Sequence, residues 1–215
     1  MGKVPTYTIS QCRRCGTCCR KGGPILHRED RKILFEGFVG HQHLMTIRKG
    51  ERAFNPVTEK VGAVPIELVR VMGKGTGRTC FFFDEERASC RVYEHRFLEC
   101  RLLQCWDPSQ IMQVIGRNTL SRFDLINPDD PIVEVIGMHD RDCPGGEVED
   151  LASNSLTASD RADVFRRLSS LVRKDEAIRS YALDELGMKK EYELFIFGRP
   201  IRQILRDYGL RVSAG

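Results

Sequence analysis

The sequence has no run approaching about 18 consecutive apolar residues, which excludes a bilayer-crossing helix. Met1 to Thr8 holds one lysine and no apolar segment of the kind a secretory signal needs, so a cytoplasmic location is expected. No charge sign dominates: 34 basic against 30 acidic residues leave +4, too little to argue for a nucleic-acid partner. Aromatic residues are 8% of the chain, and their one run, Phe81-Phe82-Phe83, is followed by acids rather than interleaved with bases. It reads as strand core and not as a platform for stacked bases. An H-E-x-x-H motif, a P-loop and a nucleophile–base–acid motif are all missing. Nine cysteines in 215 residues are about 4%, well short of the roughly 8–10% of a disulfide scaffold, and the number is odd. What is left, 41% hydrophobic and 30% charged, fits a globular chain that needs no covalent staples.

The cysteines are informative because they bunch. Cys12, Cys15, Cys18 and Cys19 lie within eight residues, Cys80, Cys90, Cys100 and Cys105 within 26, and Cys143 follows alone. Two residues between cysteines let a tight turn aim both sulfurs at one metal, and Gly16 frees that turn of a Cβ. Successive cysteines three apart resemble an iron–sulfur run more than a zinc ribbon, whose second pair is distant. Side chains of neighbours such as Cys18 and Cys19 diverge in most backbone conformations. A multinuclear cluster or two separate metals would use them better than one ion. Arg13, Arg14, Arg20 and Lys21 flank the quartet with no acid between residues 10 and 28, a setting that lowers thiol pKa values. The alternative for these four is a solvated loop face.

Residues 1–11 suit an arm or short strand with Tyr7 and Ile9 on one face, and Gly22-Gly23-Pro24 breaks the chain. Ile33, Leu34 and Phe38 suit a short helix over 28–38, with Glu29 and Asp30 at its start. Residues 44–54 read as a hairpin around Lys49-Gly50, 66–72 as a strand, and 79–83 with 88–93 as a second hairpin. Asp107-Pro108 opens a helix expected to run towards Phe123. Residues 132–136 suit a helix or a strand equally. Helical periodicity over 157–186 ends at Gly187, and a further helix is expected at 199–208. The expected fold is α+β: a small cysteine-rich metal-binding core over 1–150 with short hairpins and helices, then a helical region over 151–215 packed on it.

The second cysteine group runs Cys80-Phe-Phe-Phe-Asp, then Cys90-Arg-Val-Tyr-Glu-His-Arg-Phe-Leu-Glu-Cys100-Arg and Cys105-Trp-Asp. Cys80 and Cys90 sit on opposite arms of the second hairpin and can approach across it. Together with Cys12-x2-Cys15-Gly-x-Cys18-Cys19, over about residues 12–35 and 79–107, this resembles the CxxCxxCC cysteine-cluster family of zinc- or iron-chelating domains. Where that family carries Arg-Pro, this chain has Arg96-Phe97, which is expected to loosen the turn before Cys100. A flagellin lysine methylase bears a similar cysteine domain that resembles an iron–sulfur site. The resemblance implies a [4Fe–4S] cluster first and zinc second, and it does not imply methyl transfer.

Other chemistry is sparse. Gly73-Lys-Gly75-Thr-Gly77 lacks the strand–loop–helix context of a phosphate loop and reads as a turn. His139 and Cys143 form a His-x3-Cys pair that one helical turn would put on one face, the alternative being a surface histidine and a small core residue. His27, His41 and His43 are weaker candidates, and His95 is a candidate donor to a thiolate or carboxylate. Glu94, Arg96 and Arg101 lie beside the ligands and suit structural ion pairs, the alternative being stabilisation of cluster charge. The candidate metal ligands are therefore Cys12, Cys15, Cys18, Cys19, Cys80, Cys90, Cys100, Cys105 and Cys143. The expected role is that of an iron–sulfur protein with a redox or enzyme partner and no membrane. The rivals are a zinc-stabilised interaction module and a cluster-dependent modifying enzyme.

Overall fold

A computed structural model describes residue 12 and residues 14–75, 77–155 and 160–212 of the chain. The arm read over 1–11, Arg13 and the first residues of the 157–186 helix lie outside these. In chain order the elements are α1 (Thr17–Lys21), α2 (Arg31–Phe35), β1 (Leu44–Ile47), β2 (Arg52–Asn55), β3 (Lys60–Ala63) and β4 (Leu68–Val71). Then come β5 (Phe83–Asp84), β6 (Ser89–Cys90), α3 (Leu98–Leu102) and α4 (Ser109–Met112). The remainder is α5 (Ile132–Asp142), α6 (Gly145–Asn154), α7 (Arg161–Asp184), α8 (Glu193–Phe197) and α9 (Ile201–Asp207). The fold is α+β with a helical C-terminal part, as the sequence implies.

The strands form antiparallel pairs: β1 with β4, β2 with β3, and β5 with β6. The expected hairpin over 44–54 is not one. The chain does turn at Lys49-Gly50, yet β1 pairs with β4, setting Leu44 opposite Val71 and Thr46 opposite Val69. The reason is burial. Leu44, Ile47, Val69 and Val71 are all in the core, whereas β2 is mostly exposed and would carry Arg52 and Asn55 inward. β2 instead closes a hairpin with β3 through Asn55-Pro56, where the Asn55 carboxamide accepts from the Val57 and Thr58 amides.

The helix expected from Asp107 towards Phe123 stops after one turn, at Met112. Gly116 and Asn118 both take positive φ, which a helix cannot accommodate, and the chain folds back so that Leu120 donates to Leu26. Residues 132–142 are helical rather than extended, with the Asp130 carboxylate accepting the Ile132 amide at the start. α7 follows the expected periodicity and leaves at Gly187, and α9 fills the expected 199–208 span. α6 and α8 carry no strong sequence signal.

One hydrophobic core joins the two parts, with Leu26, Phe83 and Leu120 in the same cluster as Ile136, Leu168 and Phe197. Buried polar groups tie them further. Arg122, fully buried, pairs with Glu67 and Asp140 and donates to the Ile196 carbonyl. The Thr46 hydroxyl donates to the Phe195 carbonyl, and Arg48 donates to the Cys143 carbonyl at 2.9 Å. Hydrogen bonds of this kind offset the cost of burying such groups, although Arg48 Nη2 has no hydrogen-bond partner. No helix among the described residues is long and apolar enough to cross a membrane.

Candidate metal centre

The thiols are carried by short elements that tertiary contacts hold in place. α1 begins after Gly16, whose φ of +75° and missing Cβ let the Phe83 ring occupy the space a side chain would fill. Arg20 donates to the Cys15 carbonyl at 2.9 Å, and the Cys15 thiol lies 3.2 Å from the Thr17 hydroxyl. The Cys80 amide donates to the Cys19 carbonyl at 2.8 Å, fastening α1 to the segment before β5. Cys90 lies opposite Phe83 in the β5–β6 ladder, so its cross-strand partner is Phe83 and not Cys80.

α3 carries Cys100 and is clamped from the N-terminal side. Asp30, fully buried, accepts the Leu98 amide at 2.7 Å, and Glu99 accepts the Ile25 amide at 2.9 Å. Burial pushes the Asp30 carboxyl up, against the hydrogen bonds from His27 and Leu98. Arg96 and Arg101 hold the turn ahead of it, Arg96 donating to the Tyr93 carbonyl and Arg101 to that of Arg96. These contacts run to backbone carbonyls and not through the ion pairs the sequence suggests. Phe97 sits at φ −62°, the value a proline would fix, after an extended Arg96, and its buried ring anchors the turn. The departure from the family's Arg-Pro therefore does not loosen this turn.

Electrostatic reach links eight of the cysteines. Cys18 and Cys19 sulfurs are 3.9 Å apart, so these adjacent side chains converge rather than diverge. Cys18, Cys80 and Cys100 act electrostatically on Cys19; Cys80, Cys90 and Cys18 act on Cys100; Cys18, Cys12 and Cys15 act on Cys105. Lys21 faces Cys18, Arg70 faces Cys80, and Arg96 and Arg91 face Cys90, a cationic surround suited to thiolates. Arg14 and Arg96 both lie over the Tyr93 ring, at 4.2 and 4.0 Å, joining the first cysteine loop to the second group. Arg70 does not stand out in the sequence, since nothing local marks it.

Protonation follows from the crowding. Cys18 and Cys19 share a proton: their mutual hydrogen bond draws Cys18 down to about 6 and pushes Cys19 well up. Burial raises Cys80 and Cys90 and raises Cys100 strongly, with neighbouring thiols adding to the rise. A cation among these sulfurs would relieve both their burial and their repulsion by replacing the protons. Among the described residues no three His, Cys, Asp or Glu side chains stand at metal-holding spacing. Closing a site therefore takes side-chain rotation or a shift of the exposed stretches around Cys12, Cys15 and Cys105. The donor chemistry fits zinc or iron, since soft thiolates select those metals.

The profile of the CxxCxxCC family, described as "Putative zinc- or iron-chelating domain", matches residues 11–119. The chain belongs to this family. The match spans the eight clustered cysteines and stops before α5, so the CxxCxxCC region carries the metal-binding chemistry. No curated protein and no solved structure matches the chain.

Cys143 lies outside both the CxxCxxCC match and the cluster. It is fully buried after α5, its thiol faces the Leu171 carbonyl at 3.8 Å, and burial pushes it up to about 12. Asp175 and Arg48, not other cysteines, surround it. His139 is buried with Nε2 at 2.7 Å from Asp175 and Nδ1 facing Arg48, so both ring nitrogens are engaged. His27 bonds the Arg117 carbonyl and Glu99, and His41 stacks on Phe195. His43 accepts the Gly40 amide, and His95 stacks on Phe38 rather than serving a thiolate. In the glycine-rich run Thr76 lies outside the described residues, and on either side of it the Lys74 amide donates to the Thr79 carbonyl.

Proposed function

We propose that the CxxCxxCC region holds an iron–sulfur centre of the [4Fe–4S] type and serves a partner protein as a redox or enzyme-assisting module. What supports this reading is that thiols from two distant sequence groups act electrostatically on one another and have cationic side chains beside them. Three of them follow the three-residue spacing of an iron–sulfur run, and a cluster bearing four thiolates is anionic, so Lys21, Arg70, Arg91 and Arg96 would stabilise it. Protein purified without oxygen is expected to be brown, to absorb broadly near 400 nm on the order typical of such clusters, and to contain acid-labile sulfide with its iron. Colourless protein carrying stoichiometric zinc under the same conditions would overturn the iron reading.

A zinc-stabilised interaction module is the second reading. What favours it is the size of the elements: α1 and α3 have five residues each and β5–β6 two a side, too short to persist alone. A closed zinc site would supply the missing crosslink as folding free energy.

A further inference from the structure

We infer that the eight clustered cysteines form two adjacent four-thiol centres, an inner one of Cys19, Cys80, Cys90 and Cys100 and an outer one of Cys12, Cys15, Cys18 and Cys105. The inference rests on the metal-binding reading and adds how the ligands divide.

Burial makes the division. Cys80 belongs to the hydrophobic core, and Cys19, Cys90 and Cys100 pack against it; Cys12, Cys15, Cys18 and Cys105 do not. Cys12, Cys15 and Cys105 are exposed, and Cys18 is half-buried, acting on Cys19, Cys80, Cys90 and Cys100 as well as on Cys105. Backbone contacts draw the same line. The Cys19 carbonyl takes the Cys80 amide, the Cys80 carbonyl takes the Phe83 amide at 3.0 Å, and Phe83 faces Cys90 across the ladder. Cys105 sits in a tight turn closed by the Asp107 amide on the Gln104 carbonyl, and the cysteines that act on it are Cys18, Cys12 and Cys15.

Chemistry agrees with the geometry. Zinc and iron–sulfur centres alike are completed by four thiolates, so eight thiols supply two centres without sharing. In two-cluster iron–sulfur proteins the first three cysteines of a closely spaced run serve one cluster and the fourth reaches the other. Here the first three, joined by the remote Cys105, make the outer set, and Cys19 turns inward. The 3.9 Å contact between Cys18 and Cys19 is then where the two centres adjoin.

The test is an anaerobic titration of the reduced, metal-free full-length chain with cobalt(II), followed by thiolate-to-cobalt charge-transfer absorption. The wild type is expected to take two tight equivalents. Cys105→Ser and Cys90→Ser should each take one, the pair Cys15→Ser with Cys105→Ser should still take one, and Cys90→Ser with Cys105→Ser should take none. Saturation at one equivalent in the wild type would overturn the division while leaving thiolate metal binding intact. So would loss of both equivalents on Cys105→Ser alone. No thiolate–cobalt absorption at all would overturn the metal reading itself. Cys105 is exposed and outside the core, so its variant carries the test even where Cys90→Ser impairs folding.

Discussion

Asp175 shows how a single side chain holds the helical part together. Its carboxylate accepts from His139 at 2.7 Å, from Arg179 at 2.8 Å and from the Ile201 amide at 3.0 Å, linking α5, α7 and the start of α9. Burial raises its pKa, but the His139 hydrogen bond, the Arg179 charge and the Ile201 amide outweigh that and bring it down from 3.8 to about 2. A depressed carboxylate contributes stability that is present above its unfolded value and is lost as pH falls through the folded one. His139 works in the same direction. Burial and the Arg48 charge, against the Asp175 hydrogen bond, hold it below 6.5, so the unfolded chain takes up a proton first as pH falls. Urea unfolding is therefore expected to show stability declining below about pH 6.5 and falling by on the order of 2 kcal/mol between pH 4 and 2. Asp175→Asn should flatten that last fall. Parallel curves for variant and wild type would remove Asp175 from this role.

At the level of elements, long periodic segments were the readable ones. α7 shows its buried face through Leu168, Leu171, Val172 and Ile178, and β4 through Val69 and Val71, because a core-facing stripe leaves a regular trace. The β1–β4 pairing left no such trace, since it depends on which strand has a second apolar face to offer and not on the nearest turn. The candidate site was legible as a cysteine spacing, and eight of the nine cysteines lie within electrostatic reach of another. Cys143 was misleading because a buried cysteine and a ligand look alike in sequence. The closeness of Cys18 and Cys19 was hidden for another reason: adjacent side chains diverge in most backbone conformations, so spacing alone points the other way. These short cysteine-bearing elements have a further consequence. α1 is tied by few backbone bonds and by Arg14 and Arg20 over aromatic rings, contacts worth about 0.5–1 kcal/mol each at exposed sites. Once a chelator removes the metal, trypsin is expected to cut first after Arg14, Arg20 or Lys21, while α7 to α9 resist longer. Mass spectrometry of timed digests checks this, and equal protection of the loop with and without metal would show that the thiols are not its tie.

Across the whole molecule the two parts share one core, and their polar ties cross between them. Arg122 follows the fold-back of residues 113–121 and yet finds its partners in Glu67, Asp140 and the Ile196 carbonyl. Removing α7 to α9 would leave Thr46 without its acceptor and would uncover Ile136 and Val148. A fragment of residues 1–150 is expected to lose cooperative unfolding, because breaking a buried polar network costs about 3–5 kcal/mol and the exposed apolar surface adds to it. Calorimetry on the fragment decides the matter: a sharp transition would show that the cysteine-bearing part folds by itself.

Phe97 gives the family comparison a physical meaning. Its backbone already holds the φ that a proline ring would impose, and the preceding Arg96 is extended as proline demands. Two residues thus meet one conformational demand in different currencies. Proline limits the freedom of the unfolded chain, an effect of about 0.4–1 kcal/mol. Phenylalanine leaves that freedom and fills the interior, where deleting such a ring costs about 3–5 kcal/mol. Restoring the family's proline at this position would gain the smaller effect and forfeit the larger. At this turn the buried ring of Phe97, rather than a fixed backbone, is part of what keeps the chain folded.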